Sequence, residues 1–127
     1  MKIILFLISV FVFENVAAQE INQVDENGKR HGVWRKTFEE DPEQIRYEGS
    51  FEHGKEVGVF KFYQLGFKNP VATKHFSADS DIAEIKYYSQ DGDIISEGKM
   101  QGEKRIGEWK YYHKDSENVM MTENYEN

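Results

Sequence analysis

The sequence predicts an all-β fold, an elongated antiparallel meander of stacked β-hairpins. Three observations lead to this prediction. One short unit recurs four times at nearly constant spacing, apolar and charged residues alternate within each unit, and glycine-containing turns separate the alternating runs. Repeats of this length are single supersecondary units that bury their apolar side only against neighbours. Alternation with a period of two is the pattern of a strand, and no segment shows a convincing helical period.

The repeated unit is clearest in residues 102–112, which read GEKRIGEWKYY. Related segments occupy residues 54–63 and 28–38, and a less similar one occupies residues 80–88. When the second glycine of each unit is taken as position zero, that position falls at Gly32, Gly58, Ala83 and Gly107, in steps of 26, 25 and 24 residues. The chain therefore contains about four units, and we expect about nine short strands.

The two faces of the predicted sheet follow from the positions after zero. The second position carries Trp34, Phe60, Ile85 and Trp109, which we predict to face the interior. The third position is always basic and holds Arg35, Lys61, Lys86 and Lys110. Gly49 and Gly98 lie inside strands, where glycine weakens pairing unless a neighbouring aromatic ring covers it, and Tyr47 or Phe60 could do so at Gly49.

The first 18 residues are predicted to be a signal peptide. Lys2 precedes an apolar run at residues 3–13, and the segment ends in the small residues Val16, Ala17 and Ala18. That run has 11 residues, whereas a membrane-spanning helix needs about 20. An uncleaved membrane anchor is the alternative. We expect cleavage after Ala18, export to the periplasm or the extracellular space, and a single repeat domain over residues 19–127.

Composition excludes several classes of function. The formal net charge of −7 argues against nucleic acid as a partner, and the absence of cysteine leaves no disulfide framework or lipid-modified cysteine. Four histidines fall at different positions of the repeat, the paired carboxylates lie in turn-like segments, and no serine has a nucleophile motif. We predict no catalysis, no metal site and no cofactor.

The repeated pattern of G-K-x-x-G, an aromatic residue and then tyrosine or phenylalanine, with Tyr-x-Gly before it, resembles the MORN repeat. It is most similar to the bacterial MORN-repeat variant family, some of whose members are described as antitoxin-like. The resemblance covers about residues 21–112 and implies a recognition or scaffold module, with membrane attachment and lipid binding associated with MORN repeats elsewhere. The third unit departs from the pattern at Lys74 and Ala83, and we expect distortion there.

The candidate binding residues lie on the predicted solvent face, where stacked units repeat the same lysine and tyrosine. They are Lys61, Tyr63, Lys86, Tyr88, Lys110 and Tyr112. The competing interpretation is that the basic residues pair with Glu48 and Glu97 and only keep the sheet soluble.

Two functions remain open. The first is a secreted, non-catalytic binding or scaffold module that recognises a protein, either through this face or by edge-strand addition. The second is an envelope-associated module for lipid head groups or glycans. A terminal strand predicted near residues 119–122 would be a cap or a docking edge, and the sequence leaves the oligomeric state open.

Overall fold

A computed structural model describes residues 20–114 and 116–126, and these form one antiparallel sheet of nine strands. The strands are β1 (Gln23–Val24), β2 (Arg30–Thr37), β3 (Ile45–Glu52), β4 (Lys55–Phe62), β5 (Ala72–Phe76), β6 (Ile82–Tyr88), β7 (Ile94–Gln101), β8 (Lys104–Tyr112) and β9 (Val119–Tyr125). Each strand pairs with the next one in sequence. The predicted all-β meander is therefore confirmed, and the described ranges contain no helix. The predicted signal peptide, residues 1–18, lies outside them.

The sheet is a single layer, and its core lies on one side, which we call the aromatic face. Phe60, Ile85 and Trp109 on this face are buried, as predicted. Trp34 is only half-buried, because β1 has two residues and covers little of β2. The aromatic rings contact one another in a series, for example Phe51 against Phe60 with centroids 5.3 Å apart. Burial thus comes from neighbours within one layer.

Two strand glycines make this burial feasible. A Cβ atom at Gly98 would lie 2.2 Å from the ring of Trp109, and one at Gly49 would lie 2.3 Å from the ring of Phe60. Each ring therefore lies flat on bare backbone, as the sequence suggested for Phe60. The guanidinium of Arg105 lies over the ring of Trp109, 4.5 Å from its centroid. With backbone below and a cation above, Trp109 is 0% exposed.

The glycine at position zero forms a bulge beside the ring. Gly58 and Gly107 have φ angles of 70° and 65°, a region that side chains with a Cβ rarely occupy. The pairing register shifts next to them, between Glu48 and Ser50 in one unit and between Glu97 and Lys99 in the other. The extra residues on the bulged strand give the aromatic ring room to cross to the glycine of the neighbouring strand.

The expected distortion of the third unit is wrong, because that unit pairs more regularly than the others. Ala83 pairs directly with Phe76 on one side and Met100 on the other, without a shift beside it. At the same place Ile85 replaces the large ring and Lys74 replaces the strand glycine. No ring has to lie over the backbone here, so no bulge is needed, and Ala83 is 1% exposed.

The pairing of Gly98 with Trp109 yields a stability prediction. Trp109→Ala should cost about 3–5 kcal/mol of unfolding free energy, because the large side chain fills the core. Gly98→Ala should cost about 1–3 kcal/mol by overpacking. In the Trp109→Ala background the same Gly98→Ala change should be neutral or stabilising by up to about 1 kcal/mol, since φ at Gly98 is outside the left-handed region.

Chemical unfolding of the four proteins measures the coupling. Lys110→Ala, on the opposite face, is the control and should change stability by less than about 0.5 kcal/mol. Equal effects of Gly98→Ala in both backgrounds would contradict the close contact between this glycine and the ring.

Candidate binding face

The side of the sheet opposite the aromatic face carries one continuous line of polar residues, which we call the charged row. Consecutive pairs are directly opposite in the strand register from β2 to β9. The row consists of Arg35, Glu48, Lys61, Thr73, Lys86, Glu97, Lys110 and Thr122. The repeat places a basic residue on every second strand, and the strands between supply glutamate or threonine. The result is an alternating pattern of charge across the sheet.

The basic residues of the row differ in their pairing. The Nε of Arg35 donates to Glu48 at 2.7 Å. The only other ion pair within residues 20–114 and 116–126 joins His53 to Asp25. Lys61, Lys86 and Lys110 therefore have no carboxylate partner there, although glutamates stand opposite them in register. The interpretation that basic residues pair with glutamates of the row therefore holds for Arg35. It does not hold for the three lysines, which are exposed.

The spacing of these lysines is set by the sheet. Neighbouring strands are about 4.8 Å apart, so lysines on every second strand recur about every 9.5 Å. Lys61, Lys86 and Lys110 lie on β4, β6 and β8. A ligand that contacts all three would therefore extend across the strands, perpendicular to their direction.

Two of the three predicted tyrosines lie beside the charged row. Tyr63, Tyr88 and Tyr112 are half-buried. The hydroxyl of Tyr88 lies 3.1 Å from Oγ1 of Thr73, a member of the row. Burial, and after it the negative charge of Glu97, raises the pKa of Tyr112. Tyr88 and Tyr112 thus lie beside members of the row, whereas Tyr63 follows the end of β4 and donates its backbone N–H to Arg46.

The acidic residues that give the chain its negative charge lie mainly in the connections at both ends of the strands. At one end they are Glu39, Glu40, Asp41, Glu43, Asp91, Asp93 and Glu117, and at the other they include Glu26, Asp79, Asp81 and Glu103. The charged row crosses the middle of the strands between these two acidic borders. The charged row therefore has more basic than acidic residues, although the chain as a whole is negatively charged.

A histidine pair at one end of the sheet was missed by the sequence analysis. The rings of His31 and His53 have centroids 4.5 Å apart, and the backbone N–H of His53 donates to Nδ1 of His31 at 3.1 Å. The Nδ1 of His53 lies 2.8 Å from Oδ2 of Asp25. The β1–β2 and β3–β4 turns lie at the same end of the sheet, which brings these residues together although their repeat positions differ. The predicted strand order already places these two turns at the same end of the sheet, and this was the sequence signal that could have identified the pair.

The carboxylate of Asp25 is the centre of this cluster, since its side chain is only 3% exposed. The backbone N–H groups of Asn27 and Lys29 each donate to it at 2.9 Å. Hydrogen bonding to His53, and then to the backbone of Lys29, lowers the pKa of Asp25, and hydrogen bonding to Asp25 raises the pKa of His53. The cluster fastens the first turn to the second hairpin.

Neither a metal cluster nor a spanning helix is found in the part of the chain that the structure describes. It contains no group of three or more histidine, cysteine, aspartate or glutamate side chains arranged to hold a metal ion. No helix there is long and apolar enough to cross a membrane. Comparison with models of known families, with curated proteins and with solved structures found no match to this chain. The MORN-repeat resemblance stays a prediction.

The His53–Asp25 pair should make stability depend on pH. A raised pKa at His53 stabilises the fold below the ordinary value of 6.5, and this contribution is lost as the pH rises through the folded-state pKa. A lowered pKa at Asp25 stabilises the fold above the ordinary value of 3.8 and is lost as the pH falls through the folded-state pKa. The pair should therefore contribute most between pH 3.8 and pH 6.5.

Urea unfolding of the unchanged chain and of His53→Gln across this pH range tests the linkage. The stability difference between the two proteins should be largest near pH 5 to 6 and should shrink above about pH 7. His113→Gln is the control, because His113 makes no ion pair in the described part of the chain. A His53→Gln effect that does not vary with pH would contradict the ion pair.

Proposed function

We propose that this chain is an exported, non-catalytic binding module of MORN-like repeats that recognises a protein partner. The site is the charged row together with Tyr63, Tyr88 and Tyr112. The observation that carries the proposal is the register of the row, which presents at equal intervals three exposed lysines that have no ion-pair partner within residues 20–114 and 116–126. The repeat itself aligns these lysines, and their lack of an ion-pair partner among the described residues leaves them available to a ligand.

The sign pattern of the row favours a protein over a polyanion. Glu48 and Glu97 interrupt the lysines, and acidic connections border the row at both ends of the strands. A phosphate-rich membrane or an acidic glycan would meet repulsion on either side of a narrow basic strip. A protein surface can offer both signs of charge, together with apolar groups for the half-buried tyrosine rings, which provide contact area at little entropic cost.

Export rests on the layout of residues 1–18. The predicted cleavage after Ala18 leaves residues 19–127, and the fold needs no cysteine chemistry because its core is complete within the sheet. Expression in a bacterial host should yield the processed protein in the periplasm or the medium. The measurement is intact mass, which should equal that of residues 19–127; a full-length chain retained in membranes would contradict cleavage and favour the anchor.

Charge reversal on the row tests the binding site. Lys61→Glu, Lys86→Glu and Lys110→Glu in one protein should abolish capture of partners from the exported fraction, because all three contacts with complementary carboxylates become repulsive. The lysines are exposed on strand surfaces, so the fold should remain, and thermal melting checks this. Capture by the unchanged chain should also weaken as salt is added, since exposed charges are screened.

The matched control changes the same net charge elsewhere. Lys68, Lys104 and Lys114 are exposed and lie outside the row, and their replacement by glutamate should leave capture intact. Equal losses in both triple variants would show a general charge effect and contradict the site. Cosedimentation of the unchanged chain with anionic vesicles or cell-wall fragments, without capture of protein, would favour the lipid or glycan function instead.

A further inference from the structure

The two ends of the sheet differ in whether the outer edge of the last long strand is covered by another segment. At the β1 end, the backbone N–H of Asn22 donates to the carbonyl of Val33 at 2.9 Å, and the side-chain Oδ1 of Asn22 accepts from the backbone N–H of Arg35 at 2.8 Å. The segment before β1 therefore covers the outer edge of β2. At the other end, β9 pairs with β8 alone among the described strands. Its seven residues form the longer edge.

The outer edge of β9 is apolar, and no other described strand pairs with it. Val119, Met120 and Met121 are 45%, 55% and 48% exposed. Long apolar edges pair with other strands unless charge, proline or a covering segment prevents it. Within β9 only one residue, Glu123, is charged. The edge therefore has the features of a strand that pairs with another chain.

The direction of the hydrogen-bonding groups on β9 follows from the pairing of the sheet. Tyr63 donates its backbone N–H to Arg46, and Tyr88 donates to Val71. In an antiparallel sheet, hydrogen-bonded and non-hydrogen-bonded pairs alternate along and across the strands. Val71–Tyr88 is a hydrogen-bonded pair, so Thr73–Lys86, two positions along the same two strands, is also hydrogen-bonded. Across the row the next pair, Lys86–Glu97, is then not hydrogen-bonded, and the pair after it, Glu97–Lys110, is hydrogen-bonded.

The next pair of the row, Lys110 with Thr122, is then a non-hydrogen-bonded pair. The N–H and C=O groups of Thr122 therefore point away from β8, towards the uncovered edge. Thr122 is also the middle residue of β9. The centre of the strand thus presents one donor and one acceptor outward.

We propose that β9 pairs antiparallel with β9 of a second copy of this chain, about a twofold axis at Thr122. The two Thr122 residues exchange a reciprocal pair of backbone hydrogen bonds. Met121 then lies opposite Glu123 of the second copy. The pairing of β9 with β8 shifts between Tyr111 and Tyr112, where Met120 is an extra residue, so the regular part of the proposed pairing consists of residues 121–123 of each copy. Centring the pair at Glu123 instead would place two carboxylates face to face and cost stability.

The symmetry of this pairing preserves the faces of the sheet. A twofold axis between antiparallel strands of one sheet is perpendicular to the sheet, so both charged rows lie on the same side. They join through the two Thr122 residues into one row of twice the length. Two sites on one rigid surface would bind a bivalent or repeating partner with increased avidity. The dimer goes beyond the proposed binding function, and the changes that test it leave the lysines untouched.

Single cysteines test the register, since the chain contains no cysteine of its own. The Cα atoms of a hydrogen-bonded antiparallel pair are about 5.5 Å apart, within the range of about 4.4–6.8 Å that a disulfide spans. Thr122→Cys should therefore give a covalent dimer on mild oxidation. Val119→Cys is the matched control, because the two copies of residue 119 would be about 20 Å apart, six residues along the strand.

A proline substitution in β9 distinguishes loss of the dimer from loss of the fold. Thr122→Pro removes an N–H group that β8 does not use, and proline is tolerated on an edge strand at such a position. In analytical ultracentrifugation the unchanged chain and Thr122→Val should sediment as dimers and Thr122→Pro as a monomer. Thermal melting checks the fold of Thr122→Pro, and if that variant does not fold, the two cysteine variants decide.

Two outcomes would overturn the proposal. One is a monomer for the unchanged chain at the highest concentration that remains soluble. The other is equal cross-linking of Thr122→Cys and Val119→Cys, which would show association without this register. Loss of partner capture in the lysine triple variant with an intact dimer would separate the two proposals, because each surface is then tested by its own readout.

Discussion

The contact between an aromatic ring and a strand glycine is the constraint on which the rest of the structure depends. A single-layer sheet has no second layer to cover its apolar side, so each large ring must be buried by its own neighbours. Trp109 over Gly98 and Phe60 over Gly49 achieve this by replacing a side chain with a ring from the next strand. In the second and fourth units the bulge glycine, the ring and the strand glycine occur together, and the third unit changes all three.

The regular third unit explains why the repeat tolerates variation. Ile85 opposite Lys74 needs neither a bulge nor a bare backbone, and Ala83 fits an ordinary strand. The unit thus joins two bulged halves without changing the order of the strands. It also keeps Lys86 in register with the lysines on either side, because Lys86 pairs directly with Thr73 on one strand and with Glu97 on the other.

Much of the architecture could be predicted because residues at equal positions of the repeat occupy equivalent positions in the pairing of the strands. Residues at equal positions in stacked units share a face, so the alternation and the basic third position were sufficient to place Lys61, Lys86 and Lys110 together. The bulges could not be predicted, since a turn and a bulge both favour glycine with positive φ. The contact of His31 with His53 also could not be, because it joins different repeat positions through turns at one end of the sheet. The partial exposure of Trp34 depends on the length of β1, which has weak strand signals.

The strictly sequential strand order has a consequence for how the chain acquires its structure. Every strand pairs only with the strands that precede and follow it, so no pairing waits for a distant part of the chain. All-β proteins are usually slow to fold because their contacts join remote segments. Here each hairpin can form and dock on the previous one as it leaves a ribosome or a translocation pore. Growth of the sheet from its N-terminal end keeps only one newly formed edge exposed at a time, which limits the opportunity for mispairing during synthesis.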